Sequence, residues 1–322
     1  MWGGLEGASK TQPMKIKVLS VNTSEKKGTI KNAVESIQLS EFGVAGDAHF
    51  GKWHRQVSLL AAESIMKFSD EAGRTINYGE FAENITTEGL LLQECKPLDR
   101  FRNENIELEI TQIGKKCHGD NCSIFREVGN CVMPKEGIFA RVIRNGELKT
   151  GDELSYIPKI ITIHIITLSD RASAGEYDDK SGPQIKNLAE TYFSGINRRT
   201  AITNHLIPDA PIQLTKLVTD AISSGADAIF TTGGTGIGPR DFTPETIRPL
   251  LEKEIPGIME LIRVKYGTEK PAALLSRSIA GVSGKTLIYT LPGSVKAVTE
   301  YCHEILPTIE HSLYMIESLD SH

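Results

Sequence analysis

The chain has 322 residues, enough for two domains with separate cores. With 39% hydrophobic and 24% charged residues it has the composition of an ordinary folded protein, which excludes disordered and fibrous classes. A formal net charge of −5 argues against a generally basic nucleic-acid surface, and no apolar run reaches the roughly 18 residues of a membrane helix. Neither nucleic acid nor membrane is therefore expected as a partner. The N-terminus lacks a basic segment leading into an apolar core, and five cysteines, an odd number, do not make a disulfide framework. A cytoplasmic chain with reduced thiols is the expectation.

Residues 1–13, with three glycines and no periodicity, read as a flexible tail. From Met14 the pattern is mostly short β: Lys15 to Val21, Ile106 to Ile113, and Phe139 to Leu154. The last contains Asn145-Gly146, a two-residue hairpin signal, and a second turn at Gly151-Asp152. One helix is expected over Ser58 to Ala72, and the many short strands predict a β-barrel or folded sheet. The chemistry of this half centres on Cys117, His118, Cys122 and Cys131. Thiolates suit Zn, Cu or another soft metal centre, and Lys115 and Lys116 would lower a neighbouring thiol's pKa and attract an anion. The spacing does not fit a paired Cys-x₂-Cys zinc site, and inert buried thiols are the plain alternative. Asp47 and His49, in a glycine-containing turn, could line an anionic pocket.

Near Ser155-Tyr-Ile-Pro-Lys159 the pattern changes to strands alternating with helices, the mark of α/β architecture with a mostly parallel sheet flanked by helices. The expected domains are therefore 14–157 and 158–322. A buried strand, Ile160 to Leu168, ends in Ser169-Asp170-Arg171, and a helix follows over Ser181 to Tyr192. The strand Asn204 to Ile207 ends in Pro208-Asp209, before a helix over Ile212 to Ser223. Then Ala228-Ile-Phe-Thr-Thr232 runs into Gly233, Gly234, Thr235, Gly236 and Gly238, a turn that can aim several N–H groups at one anion. Arg240 and Asp241 follow, suited to phosphate oxygens and to Mg²⁺ respectively. Thr243 reads as an N-cap with Pro244 at the first helical position, opening helices over Thr243 to Leu251 and Ile258 to Tyr266. A strand over Thr286 to Leu291 ends in Pro292-Gly293-Ser294, a second anion site at the start of the helix Val295 to Leu306; a terminal helix covers Pro307 to Leu319.

Thr231-Thr-Gly-Gly-Thr-Gly-Ile-Gly-Pro-Arg-Asp-Phe-Thr-Pro-Glu245 resembles the central motif of the MogA/MoaB-type molybdopterin adenylyltransferases. Leu168-Ser-Asp-Arg-Ala-Ser-Ala-Gly-Glu176, Leu275-Ser-Arg-Ser-Ile-Ala-Gly281 and Leu291-Pro-Gly-Ser294 agree in order. The resemblance implies transfer of AMP from MgATP to the terminal phosphate of molybdopterin, releasing pyrophosphate. It implies Asp209 and Asp241 as magnesium ligands, Arg240 steadying charge, and Gly233 to Gly236 on nucleotide phosphate. Ser169, Asp170, Arg171, Ser276, Arg277, Gly293 and Ser294 would hold molybdopterin. A homotrimer and a downstream molybdenum-insertion protein are further implications. Phe242 stands where the family often has a small β-branched residue, and Val295 where proline is frequent.

In the first half, Gly43-Val-Ala-Gly-Asp-Ala-His-Phe-Gly51, Arg55-Gln-Val-Ser-Leu59, Phe81-Ala-Glu-Asn-Ile-Thr-Thr-Glu-Gly-Leu90, Lys115-Lys-Cys-His-Gly-Asp-Asn-Cys122 and Cys131-Val-Met-Pro-Lys-Glu-Gly-Ile-Phe-Ala-Arg141 together resemble a MOSC domain. That resemblance favours Cys117 as a residue that carries sulfur or contacts molybdenum cofactor. Two other readings of the chain stand beside the transferase: a non-catalytic cofactor carrier, and a pterin-nucleotide hydrolase.

Overall fold

The structure is a computed structural model and describes residues 14–115 and 131–319. The chain divides between Lys159 and Ile160 into two compact units. Cys117, His118 and Cys122 lie outside the described residues.

The first unit is a mainly β structure of strands β1 (Lys15–Thr23), β2 (Asn32–Val34), β3 (Ser36–Ser40), β4 (Gly43–Val44), β5 (Val57–Ala61), β6 (Ile85–Glu88), β7 (Arg100–Arg102), β8 (Glu107–Ile113), β9 (Ile138–Arg144), β10 (Gly146–Lys149) and β11 (Glu153–Ile157). Seven of them close into a barrel in the order β1-β11-β7-β8-β9-β5-β6 and back to β1. Closure depends on the length of β1. Its first residues pair with β11, Lys17 to Val21 pair with β6, and Val21 to Thr23 carry β2. The barrel is filled by Ile16, Val18, Leu59, Ile85, Phe101, Leu108, Ile110 and Ala140, all almost fully buried.

Two local expectations are corrected. The segment Ser58 to Ala61 is strand, and helix α1 begins only at Ala62 (Ala62–Ala72). Val57, Leu59 and Ala61 point into the barrel, while Leu60 packs outside it with Ile65, Phe68, Ile76, Phe81 and Phe139. A strand buried on both faces loses the period-2 signal that separates it from a buried helix. Asn145-Gly146 is not a hairpin turn: β9 pairs with β5 and β8, and β10 leaves to pair with β3 in a second, three-stranded sheet. Gly146 is required for close approach, since a Cβ there would lie 2.5 Å from the Asn105 carbonyl oxygen.

A buried polar network sits beside the barrel. Lys31 and Asp47 form an ion pair with side chains 0% and 1% exposed. Asp47 Oδ2 also accepts from Asn84 Nδ2 at 3.1 Å and Ser24 N at 3.1 Å, and Oδ1 accepts from His49 N at 2.9 Å. Burial opposes its charge, but His49 and Lys31 hold the Asp47 carboxyl well below the usual carboxylate range. Burial outweighs the carboxylate beside it and lowers Lys31 from the usual lysine range. Asp47 is thus committed to structure rather than to the open anionic pocket its turn suggested.

Glu83, fully buried, accepts from Gly79 N at 2.5 Å and Thr86 Oγ1 at 3.0 Å, while its Oε2 has no partner among the described residues. Burial pushes its pKa up to about 7. A carboxyl raised on folding adds stability below its unfolded value, and that contribution disappears as pH rises through the folded value. The first unit should therefore lose stability between about pH 4.5 and 8. Glu83→Gln, which keeps an acceptor for Gly79 and Thr86, should flatten that decline in urea midpoints measured across the range. An unchanged slope would remove Glu83 as its source.

The second unit contains β12 (Ile160–Leu168), α2 (Asp170–Ser173), α3 (Ser181–Gly195), β13 (Arg199–Ile207), α4 (Pro211–Ser223), β14 (Ala228–Thr232), α5 (Thr243–Ile247), β15 (Lys253–Glu254), α6 (Pro256–Gly267), β16 (Ala280–Ser283), β17 (Thr286–Leu291) and α7 (Val295–Ile316). Its sheet runs β13-β12-β14-β17-β16-β15; the first four strands are parallel, and β16 pairs antiparallel with both β17 and β15. Ile166, Leu168, Ile229 and Ile288 pack on one face with Leu214, Val218 and Ile247 of α4 and α5. Alternation sends Phe230 and Tyr289 to the other face, where their rings stack at 5.2 Å. The connection from β12 runs to β13 on one side and the chain then crosses to β14 on the other, so the strand order reverses beside the carboxyl ends of β12 and β14. Open α/β sheets bind ligands at such a point.

Two expected helices are one. The segments before and after Pro307 form a single 22-residue α7. Pro307 is exposed, as is His303 one turn earlier, so the carbonyl deprived of its hydrogen bond faces solvent.

Candidate active site at the sheet edge

Four loops leave the carboxyl ends of parallel strands β12, β13, β14 and β17, and they carry nearly every polar residue singled out in the second half. The loop after β14 is held from three sides. Gly233, at φ +109°, could not carry a side chain, because a Cβ would stand 2.4 Å from the Leu168 carbonyl oxygen. Its N–H donates to Leu291 O at 3.0 Å, so it is not available to an anion. Thr243 donates through Oγ1 to Gly233 O at 2.9 Å and through N to Gly234 O at 3.0 Å. It ties the loop and makes no cap hydrogen bond, contrary to the expected N-cap role. Asp241 Oδ2 accepts from Gly238 N at 2.8 Å. Among the described residues, the N–H groups of Gly234, Thr235 and Gly236 take no partner, which leaves a small concave donor set of the kind that binds phosphate.

Arg277 sits under this loop rather than beside it. Its Nε donates to Gly236 O at 2.6 Å, Nη2 donates to Asp241 O at 2.8 Å, its N–H donates to Thr235 O at 2.9 Å, and Nη1 pairs with Glu245. Those bonds use the guanidinium to fix loop shape. Arg277→Ala should therefore weaken any phosphate ligand of the loop by about tenfold while leaving the fold intact. Equal affinities for wild type and variant would show that the loop keeps its shape without the brace.

The carboxylates cluster at the opposite side of the loop. Asp209 N donates to Asp170 Oδ1 at 2.8 Å, Asp170 N donates to Asp209 Oδ2 at 3.4 Å, and Arg240 Nη1 lies 3.3 Å from Asp170 Oδ2. Burial raises the Asp209 pKa, and the negative charges of Asp170 and Asp241 push it the same way. Arg240, with its side chain 80% exposed, offsets this only in part. Like charges gathered in this way favour a cation. Among the described residues, no group of three or more His, Cys, Asp and Glu side chains is placed to hold a metal by itself. Hard carboxylate oxygens in ones and twos nevertheless suit Mg²⁺, which takes its remaining ligands from water and substrate phosphates.

Two cavities share Gly293 and Ser294. The larger, about 600 Å³, is lined by Ser169, Tyr177, Asp179, Ser181 and Val295. In it Ser169 Oγ lies 2.8 Å from Tyr177 OH, and Arg171 stacks on the Tyr177 ring at 5.2 Å. The second, about 470 Å³, is bounded by Gly234, Thr235, Gly236, Asp241, Ser276 and the start of α7. Ser294 caps α7 through a bond from Ala297 N at 3.3 Å, and Tyr301 OH donates to Ser276 Oγ at 2.8 Å. The structure thus brings Gly234, Thr235, Gly236, Asp241, Ser276, Gly293 and Ser294 to one cavity and Ser169, Gly293 and Ser294 to the other. Asp170, Asp209 and Arg240 meet one another at the same edge. Phe242 is partly buried against the core under α5.

Sequence reasoning missed Lys270 and Lys296, which line the second cavity. Lys296 carried a legible signal: it stands in the first turn of α7, where the helix dipole disfavours a cation. It also missed Tyr177 and Asp179. Asp179 accepts from Thr167 Oγ1 at 2.7 Å and from Ser181 N at 2.9 Å, joining β12 to the start of α3. In the first unit, Cys131 is partly buried against Leu60, Phe68 and Phe139. The thiols of Cys95 and Cys302 are buried and pushed up to about 12 by that burial, which makes them poor nucleophiles.

Residues 164–311 match the family described as "Probable molybdopterin binding domain", and residues 46–155 match the MOSC domain. A molybdopterin adenylyltransferase of Pyrococcus furiosus is 37% identical over 165 residues, covering 48% of this chain and 91% of that protein. Gephyrin of Dictyostelium discoideum is 38% identical over 162 residues, 48% of this chain and 22% of that protein. A molybdenum cofactor biosynthesis bifunctional protein of Synechococcus elongatus is 35% identical over 156 residues, 48% of this chain and 47% of that protein. The chain spans less than half the length of these last two relatives.

Proposed function

This chain belongs, through its second unit, to the molybdopterin-binding family of molybdenum cofactor biosynthesis and carries a MOSC domain before it, and from that membership we propose that residues 160–322 transfer AMP from ATP to molybdopterin. The observation that carries the reading is the meeting of unpartnered loop N–H groups, a carboxylate cluster and two joined cavities at one sheet edge. Two phosphorylated substrates need adjoining cavities with a shared phosphate-binding segment, and Gly293-Ser294 at the start of α7 serves that purpose.

In the reaction, an oxygen of the molybdopterin terminal phosphate attacks the α-phosphorus of ATP. The new P–O bond forms as the bond to the β-phosphate bridging oxygen breaks, and pyrophosphate leaves with that electron pair. Such transfers depend on alignment and charge neutralisation more than on covalent help from the protein. The N–H groups of Gly234, Thr235 and Gly236 hold phosphate oxygens, and Arg277 and Thr243 keep that loop in shape. Asp209 and Asp241 would hold Mg²⁺, which would supply positive charge to the phosphates. Arg240, exposed at the rim beside Asp170, steadies charge on the transferring group. Ser169, Asp170, Arg171, Ser276, Gly293 and Ser294 face molybdopterin. The MOSC unit binds molybdenum cofactor or hands on its sulfur, with Cys117, His118, Cys122 and Cys131 as its candidate residues.

The test is direct. Purified chain, ATP, magnesium and molybdopterin should yield adenylylated molybdopterin and equimolar pyrophosphate, separated by chromatography. Well-folded protein that binds molybdopterin but forms no product would replace the transferase with a cofactor carrier. Release of AMP from nucleotide conjugates without pterin acceptor would point instead to a hydrolase.

A further inference from the structure

Lys270 and Lys296 come from separate elements, the residue before Pro271 and the first turn of α7, yet both line the cavity that holds Gly234, Thr235, Gly236 and Asp241. Both side chains line that one wall, and Lys296 is the main cause that lowers the Lys270 pKa, with Glu300 and Glu269 acting against it. The nearest acidic group paired with Lys296 is Glu300, at 3.8 Å, too far for a hydrogen bond. Two like charges side by side repel, and Lys296 also opposes the dipole of its own helix. Both side chains are exposed, so neither is held in place by packing. A polyanion seated in the cavity would turn both unfavourable terms into favourable ones.

We propose that Lys270 and Lys296 together bind the β- and γ-phosphates of the nucleotide and so select a nucleoside triphosphate over its monophosphate. This rests on the nucleotide-transferase reading above. Two ammonium groups on one wall draw most strongly on a ligand with several phosphate groups in series, because a nucleoside triphosphate carries more negative charge than the roughly −2 of its monophosphate. Ile237, Ala272, Ala273 and Leu275 give the cavity an apolar stretch, Asp241 and Glu300 are its acidic groups, and the two lysines are its cationic ones. The pair also holds the leaving pyrophosphate in the charge state in which it departs.

The experiment measures affinities of the full chain for a non-hydrolysable ATP analogue, for AMP and for molybdopterin by calorimetry with magnesium present. Wild type is compared with Lys270→Gln/Lys296→Gln and with Lys270→Arg/Lys296→Arg. The glutamine pair should weaken the triphosphate analogue by about tenfold or more, change AMP by less than about twofold, and reduce the salt dependence of triphosphate binding. The arginine pair should restore most of the affinity. Equal weakening of AMP and the triphosphate, no weakening of either, or a loss confined to molybdopterin would each overturn the proposal. The last of these would put the pterin's phosphate on the lysines instead. If wild type binds neither nucleotide, the transferase reading itself fails, an outcome distinct from wild-type binding that the glutamine pair leaves unchanged.

Discussion

Asp241→Asn and Asp209→Asn should each reduce adenylyl transfer by about a hundredfold or more, the size of effect expected when a group that stabilises charge in the transition state is removed. The asparagine side chain keeps the shape and, at 241, an acceptor for Gly238 N–H, which lies 2.8 Å from the carboxylate oxygen. The loop should therefore stay in place, and the loss should appear in kcat. At 209 the change removes one charge from a cluster in which Asp170 and Asp241 already raise its pKa. The folded state should not suffer, because the substitution relieves repulsion. Raising the magnesium concentration should recover part of the rate if the carboxylates act through the ion. A variant with near-wild-type kcat would remove that residue from the magnesium site, and loss of product together with a lower melting temperature would mean the defect is structural.

The largest stability effect is expected in the other unit. Lys31→Met should destabilise it by about 3–5 kcal/mol, because the buried Asp47 carboxylate would lose the only ammonium group bonded to it among the described residues. Asn84, Ser24 and the His49 N–H would still donate to Asp47 without neutralising it, and the His49 imidazole, 3.4 Å from Oδ1, would do so only when protonated. The diagnostic is the double variant Lys31→Met/Asp47→Asn, which removes both charges and should recover much of the loss. Hydrogen exchange across Val18 to Val21 and Ile85 to Glu88 would read the first unit separately from the second. A cost under about 1 kcal/mol in Lys31→Met would mean the pair behaves like an exposed ion pair. Equal losses in the single and double variants would point to packing of the lysine stem instead.

The position of the candidate site was legible before any coordinates because its pieces are local. A buried strand, a run of glycines and an acidic residue before a helix are read within one stretch, as in Ala228 to Thr246, and parallel topology sends all such stretches to one edge. Resemblance added the substrates to be expected there. Helix and strand positions in the second unit were close for the same reason: each strand is followed by its own turn and helix.

Other features depend on residues far apart in the chain, and these needed tertiary structure. The sequence by itself determined the two-part organisation, the α/β character of the second part and the glycine loop, because each is carried by short-range periodicity and turn chemistry. Only the tertiary structure decided that β1 closes a barrel with both β11 and β6, and that β10 turns into another sheet rather than forming a hairpin with β9. It also decided that Arg277 braces the loop from 41 residues away, and that Lys270 and Lys296 share one cavity. Hydrogen bonds and charge pairs of that kind are set by which surfaces the packed core brings together, and nothing in the residues flanking each partner encodes the meeting.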